Sequence, residues 1–213
     1  MTATSAMGVF LVALAMVLTP GPNMMYLVSR SITQGRRAGV VSLAGVAVGF
    51  IVYLTATNLG LSAVFVAVPA LFVAVKLAGA FYLGWLAVNA LRAGASSPFQ
   101  PARVPEDTPR RLFLMGLLTN LLNPKIAVMY LSLIPQFEHP EEGHILVQGF
   151  VLGAVQILVA LTVNLLIVLA AGRIARFLSR RPAWLRAQRY LMGGVLGALA
   201  LRLATEPTRH GAA

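Results

Sequence analysis

Leu18-Thr19-Pro20-Gly21-Pro22-Asn23, inside an apolar run from about residue 7 to 29, decides how this chain folds. A proline lacks an amide hydrogen and clashes with the carbonyl four residues back. Pro20 and Pro22 therefore leave the carbonyls of Met16 and Leu18 without helical donors, and Pro22 biases Gly21 away from helical geometry. One proline would kink this helix; Pro-Gly-Pro interrupts it. A second interruption is written at Asn120 and Asn123-Pro124-Lys125, within another apolar run. Pro124 releases the carbonyl of Asn120, and Asn123 is biased out of the helix.

The medium around these breaks is hydrocarbon. Of 213 residues, 58% are hydrophobic and 11% charged, with mean hydropathy +0.81. A soluble domain carries about 25% charged residues, so there is too little polar material here to cover a water-facing surface. Six apolar segments run at roughly 7–29, 39–61, 66–91, 112–135, 146–171 and 188–205, each near the ~20 residues a span needs. The second and third are joined tightly enough to predict a helical hairpin. The net charge of +11 does not point to nucleic acid, because the arginines flank apolar runs instead of forming one basic surface. Without cysteines there are no disulfides, thiolate metal sites or dithiol relays. The first cation is Arg30, so the apolar N-terminus lacks the charged start of a signal peptide and is expected to be a retained span.

Arg30, Arg36 and Arg37 fall in the first loop. Arg92, Arg103, Arg110 and Arg111 fall in the third, and six arginines from Arg173 to Arg189 in the fifth. The second loop has none, and the fourth carries Glu138, Glu141 and Glu142 instead. The positive-inside rule then places loops one, three and five in the cytoplasm and both termini outside. Residues 96–111 hold Pro98, Pro101, Pro105 and Pro109, a proline-punctuated cytoplasmic linker. It separates a first three-helix unit, 1–95, from a second, 112–213. Three spans per unit give opposite orientations, as in transporters built from inverted repeats. The expected fold is an all-α integral membrane protein, six transmembrane helices in two inverted three-helix repeats, with the first and fourth helices broken by proline.

Unsatisfied carbonyls in hydrocarbon are tolerated where they face protein or a water-filled cavity. Interruptions at corresponding places in two halves therefore point to a solute site near the midplane. The candidate binding residues are Pro20, Gly21, Pro22 and Asn23 at one break and Asn120, Asn123, Pro124 and Lys125 at the other. The half-helix starting near Asn23 presents free backbone amides suited to a carboxylate, and Asn23 and Asn123 are placed to orient an amino group or side chain.

The stretch Leu18 to Asn23, followed by Ser29-Arg30 and Gly35-Arg36-Arg37-Ala38-Gly39, resembles the opening signature of the lysine exporter family, the LysE/RhtB group. Lys76 to Gly84, Gly116 to Lys125 and Pro135-Gln136-Phe137 resemble that family in the same order. The resemblance covers nearly the whole chain. It implies a bacterial inner-membrane exporter of amino acids or derivatives, driven by proton exchange. The direction of transport comes from the resemblance alone.

All six acids, Glu106, Asp107, Glu138, Glu141, Glu142 and Glu206, lie outside the expected spans, so the usual proton carrier of a secondary transporter is missing. Two lysines are central instead. Lys76 lies ~15 Å from the nearest helix end at ~1.5 Å per residue, and Lys125 sits on the broken segment. A cation at the bilayer centre costs at least ~2.5 kcal/mol, so it faces the bundle interior or a partner. The carbonyls of Met16, Leu18 and Asn120, or a substrate carboxylate, are the expected partners. A lysine that holds the carboxylate while protonated, and loses its proton as the site turns to the other side, would couple solute to protons. The bland reading is that each lysine only caps carbonyls. Tyr82 and Asn89 share a helical stripe and are candidate lining, as are Gln156, Thr162 and Asn164 in the fifth span.

Gly45-xxx-Gly49, Gly149-xxx-Gly153 and Gly193-xxx-Gly197 allow close helix approach, within one chain or between copies in a homo-oligomer. His139 and His144 share the fourth loop with three glutamates, where a solvated polar loop outweighs a metal site. An intramembrane enzyme needs a nucleophile–base pair or metal ligands, and no expected span contains Asp, Glu, His or Cys. A channel relies on symmetry around a pore rather than on inverted halves. A metal-cation exporter of related architecture wants acids or thiols along its path. No cofactor is implied. The partners are the lipid bilayer, protons and a neutral amino acid or derivative such as homoserine, threonine or a leucine-like compound. A basic amino acid finds no buried anion for its second positive charge.

Overall fold

The computed structural model describes residues 3–61, 69–91 and 106–179, with residues 190, 193–194, 196–201 and 204–205 near the C-terminus. Every regular element among them is helical. In chain order these are α1 (Ala3–Leu18), α2 (Pro22–Thr33), α3 (Arg36–Ala56), α4 (Pro69–Leu91), α5 (Pro109–Leu121), α6 (Pro124–Val128) and α7 (Ile145–Ser179). α3 continues as a π-helical turn over Thr57–Leu61, and α6 as a π turn over Met129–Leu133 and a 3-10 turn over Ile134–Phe137.

Both expected breaks are present. α1 and α2 meet at 54°, and α5 meets the α6 segment at 49°; each pair is long and apolar enough to form one bent span. The unbroken segments Arg36–Gly60 and Ile145–Arg173 each qualify as a span by length and hydropathy. The 23 residues of α4 are also enough to cross ~30 Å of hydrocarbon at ~1.5 Å per residue. The linker lies mostly outside the described residues, as does the turn between the second and third spans, and the sixth expected segment is described only in part, its described residues being helical. The fifth span, expected at 146–171, is found as Ile145–Arg173. Its helix runs on to Ser179, so Arg173 and Arg176 are helical.

The two second half-helices begin alike. Gly21, extended, precedes Pro22 at the start of α2. Asn123, also extended, precedes Pro124 at the start of α6 and accepts the Lys125 backbone N–H at 3.1 Å. Proline is suited to the first helical position because that amide would be unpaired anyway. The residues that end one helix therefore start the next. α5 uses the same device, with Thr108 as cap and Pro109 following. Between α2 and α3 the chain turns at Gly35, whose φ of 88° suits glycine.

α3 and α5 cross with their backbones almost touching. A Cβ on Gly45 would collide with the carbonyl oxygen of Phe113, and one on Gly116 with the carbonyl oxygen of Ser42. Gly49 lies against the Asn120 side chain. Hydroxyls pin the same interface: Tyr53 donates to the Leu121 carbonyl at 2.8 Å and Tyr26 to the Leu112 carbonyl at 3.0 Å. The other small-residue pairs also face this chain's own helices. Gly149 and Gly153 meet Asn58 and Leu54 of the α3 segment, and Gly193 meets Leu91 of α4. α7 packs along α1, α2 and α3. At one end Asp107, 4% exposed, bridges Arg30 at the end of α2 (2.8 Å) and Arg111 on α5 (3.0 Å). Backbone-on-backbone contact leaves nothing to rotate away. Gly116→Ala should therefore lower the melting temperature in detergent by several degrees, from an overpacking cost of ~1–3 kcal/mol. Gly84→Ala, whose Cβ would come no closer than 4.0 Å to Ala200, should leave it unchanged.

The loop after the α6 segment folds over the ends of α1, α3 and α7. His139 reaches Ser5 at 2.9 Å and Glu141 at 3.0 Å. The buried Gln148 side chain accepts the His139 N–H and donates to the carbonyls of His139 and Gly143. Glu138 lodges near Gly149, and burial pushes its carboxyl up to about 7. The closed loop thus holds this proton more tightly than an open one would. Its stability is greatest below the ordinary value of 4.5 and falls as pH rises toward 7. Exchange protection of the His139 and Glu142 amides, corrected for intrinsic rates, should drop across that window in the natural protein. In Glu138→Gln this decline should be absent.

Candidate functional site

Proline removes the donors that would close the last turn of α1. Thr19 still gives its N–H to Ala15 at 3.2 Å, but Pro20 has none to give Met16. The donor arrives from the other half of the chain. The Lys125 ammonium, on a side chain 5% exposed, donates to the carbonyls of Met16 and Thr19, both at 2.7 Å. A cation on the negative end of a helix is also favoured by the helix dipole. Gly21 makes this approach possible, since a Cβ there would stand 3.0 Å from the Lys125 nitrogen.

Of the three expected carbonyl partners, Met16 is one. The second is Thr19 rather than Leu18, the carbonyls of Met16 and Thr19 meeting the same ammonium. Asn120 is not a partner either. Its carbonyl accepts the Asn123 N–H at 3.0 Å in the local turn.

Around this lysine stand amides with nothing to bind. Both polar side-chain atoms of Asn23, both of Asn120 and the amide nitrogen of Asn123 are buried without a hydrogen-bond partner. Each such group costs ~1–3 kcal/mol, a cost a fold retains where a ligand or water meets it. Asn23, Asn123 and Lys125 line a cavity of about 30 Å³ between the two breaks, together with Gln156 and Asn164 of α7. Its other walls are apolar, chiefly Met16, Met24, Phe50, Ile126 and Met129. The volume admits water but not an amino acid, so the site is too narrow for such a solute in this conformation.

Pro20, Pro22 and Pro124 shape the breaks but do not line the cavity. Asn120 lies beside it, against Gly49. Tyr82 stacks on Trp85 of its own helix, ring centroids 5.6 Å apart, and is not among the lining residues. Lys76 is placed on α4, but its side chain, like that of Asn89, is outside the described residues. Thr162 is exposed on the outer face of α7. The apolar lining and the Thr19 carbonyl were not anticipated. Methionines and a phenylalanine in an apolar helix carry no sign of which way they point, whereas the missing amides at Pro20 and Pro22 did mark the carbonyls.

The family model described as LysE type translocator matches residues 14–207. Three curated relatives, the leucine efflux proteins of Salmonella choleraesuis, Salmonella paratyphi A and Salmonella typhimurium, are each 26% identical over 193 residues, covering 91% of this chain and 91% of theirs. No solved structure matches the chain. The family match takes in both breaks, nearly all of the cavity lining and the apolar helices around it, and the chain belongs to the LysE-type translocator family of multi-pass membrane proteins.

Proposed function

We propose that this protein is a secondary active exporter of neutral amino acids or close derivatives across the bacterial inner membrane, exchanging them for protons. The observation that carries the reading is one cavity holding a buried ammonium and unpartnered amides, walled by apolar side chains, where two proline-broken helices meet. A carboxylate can replace the Met16 and Thr19 carbonyls on Lys125 and take the Asn123 amide. The Oδ1 of Asn23 offers an acceptor for the amino group. No acid is among the lining residues, which favours a neutral side chain over a basic one. The relatives' printed name, leucine efflux protein, agrees with an apolar wall. Homoserine and threonine are the polar alternatives.

The reading extends to the whole chain. The similar bends, 54° and 49°, and the shared helix starts at Pro22 and Pro124 support six spans in two inverted units, 1–95 and 112–213, joined by the linker 96–111. The basic loops, including the Arg30–Asp107 end of the molecule, are then cytoplasmic and both termini outside. In the exchange, protonated Lys125 holds the substrate carboxylate facing the cytoplasm. It gives its proton to that side as the site turns outward. After release outside it takes up a proton there, and the ammonium returns inward on the carbonyls of Met16 and Thr19, so one proton enters for each solute that leaves. Lys76 is the second candidate for this step.

Counterflow in proteoliposomes, against a panel of neutral and basic amino acids with and without a pH gradient, tests the function. Neutral amino acids should exchange and basic ones should not; failure to move any amino acid overturns the reading. Lys125→Gln should lower uphill export at least tenfold and remove its dependence on the gradient. Undiminished, proton-coupled export by that variant would leave Lys125 as a carbonyl cap only.

A further inference from the structure

The long helix α7 is unbroken, and it turns two amides into the cavity. Gln156, Ala160 and Asn164 are spaced four apart along one stripe of it, and all three line the cavity. Both amide residues are 3% exposed. The Asn164 amide nitrogen donates to the Ala160 carbonyl at 2.8 Å. A backbone carbonyl only accepts, so this contact fixes the orientation of the amide. The Asn164 Oδ1 is left for the cavity. Gln156 is held differently, its carbonyl oxygen taking the Tyr130 hydroxyl at 2.6 Å.

Hydrogen-bonding capacity around the cavity is therefore divided. The Lys125 ammonium and the Asn123 amide nitrogen, which lacks a partner, are donors at the α5–α6 break, suited to a carboxylate. An α-ammonium instead needs acceptors, and no carboxylate lines the cavity. We propose that Asn164 accepts a hydrogen bond from the α-ammonium of the substrate while Lys125 holds its carboxylate, so that α7 makes the site selective for amino acids over simple carboxylic acids. The Oδ1 of Asn23 is the second acceptor. This inference rests on the cavity being the amino-acid site. It adds a specificity residue on an element that neither break contributes.

The test is competition for counterflow by paired ligands that differ only in the amine: leucine and 4-methylpentanoate, or threonine and 3-hydroxybutanoate if threonine is the better substrate. The natural protein should prefer the amino acid by about ten- to a hundredfold, the span of a hydrogen bond to a charged group. Asn164→Leu should lose most of that preference by weakening the amino acid while leaving the plain acid unchanged. Asn164→Asp, which keeps an acceptor and adds a charge, should retain or raise it. Equal weakening of both ligands in Asn164→Leu, at an unchanged melting temperature, would make Asn164 a packing residue and overturn the inference. If that variant does not fold, a preference lowered in Asn164→Asp would overturn it as well. A natural protein that binds no amino acid would sink the exporter reading and this one together. One that transports amino acids without discriminating against the plain acids would sink this one alone.

Discussion

The Lys125 ammonium on the carbonyls of Met16 and Thr19 is the contact on which the two halves depend. Neither side of it is tolerable alone. Carbonyls released by proline in a span need a donor, and a lysine buried at that depth needs acceptors. Together they join one break to the other across more than a hundred residues of chain. The bond also makes the junction switchable. On the proposed exporter reading, a carboxylate that enters would compete for the ammonium, and α1 would lose what completes its last turn. Substrate binding and a change in how α1 meets α6 would then be one event.

The rest of the fold keeps that junction in register. Gly45 and Gly116 let α3 and α5 touch backbone to backbone, so the first half of one broken span is fixed rigidly against the other unit. Tyr26 and Tyr53 bond to carbonyls near the two ends of α5. With α5 held, the bend at Asn123 is the place where movement can be absorbed, and the α6 segment continues into π and 3-10 turns rather than a regular helix. Irregular turns exchange hydrogen-bond partners more easily than an α-helix does.

The breaks were legible because proline acts on the backbone regardless of surroundings. Pro20, Pro22 and Pro124 each deny a helix interior one amide, and Lys125 beside one of them had few places to go. The apolar runs likewise marked the spans, the fifth ending at Arg173, while α7 itself runs on to Ser179 because arginines continue a helix as well as they begin a loop. Rotational phase was harder to read. A helix in lipid is apolar all round, so periodicity does not say which face turns inward, as it would for a water-facing helix. Tyr82, Thr162, Gln156 and Asn164 looked alike in sequence. The structure turns the last two to the cavity, Thr162 to the exterior and Tyr82 onto Trp85. Thr19 in place of Leu18 followed from the local path of the chain at the bend, which no spacing rule contains.

The cavity is small because its polar groups are unmatched, and both facts describe one conformation. With about 30 Å³ the apolar walls have closed to where only water fits, burying the amides of Asn23 and Asn123 unpaired. Opening to either side would hydrate them at once and expose apolar surface in exchange. The closed state is therefore held by Met24, Phe50 and Met129 and opposed by the asparagines. A zwitterion changes that balance from within. It satisfies the amides and the lysine without requiring water, while an aliphatic side chain fills the space that opens as the walls separate. A ligand with only one of the two features leaves half of the opposition in place, since a bare apolar molecule leaves the amides unpaired and a bare carboxylate leaves the walls apart. On the proposed reading, the same division of polar and apolar surface that would select the solute would also decide when the loaded site can close.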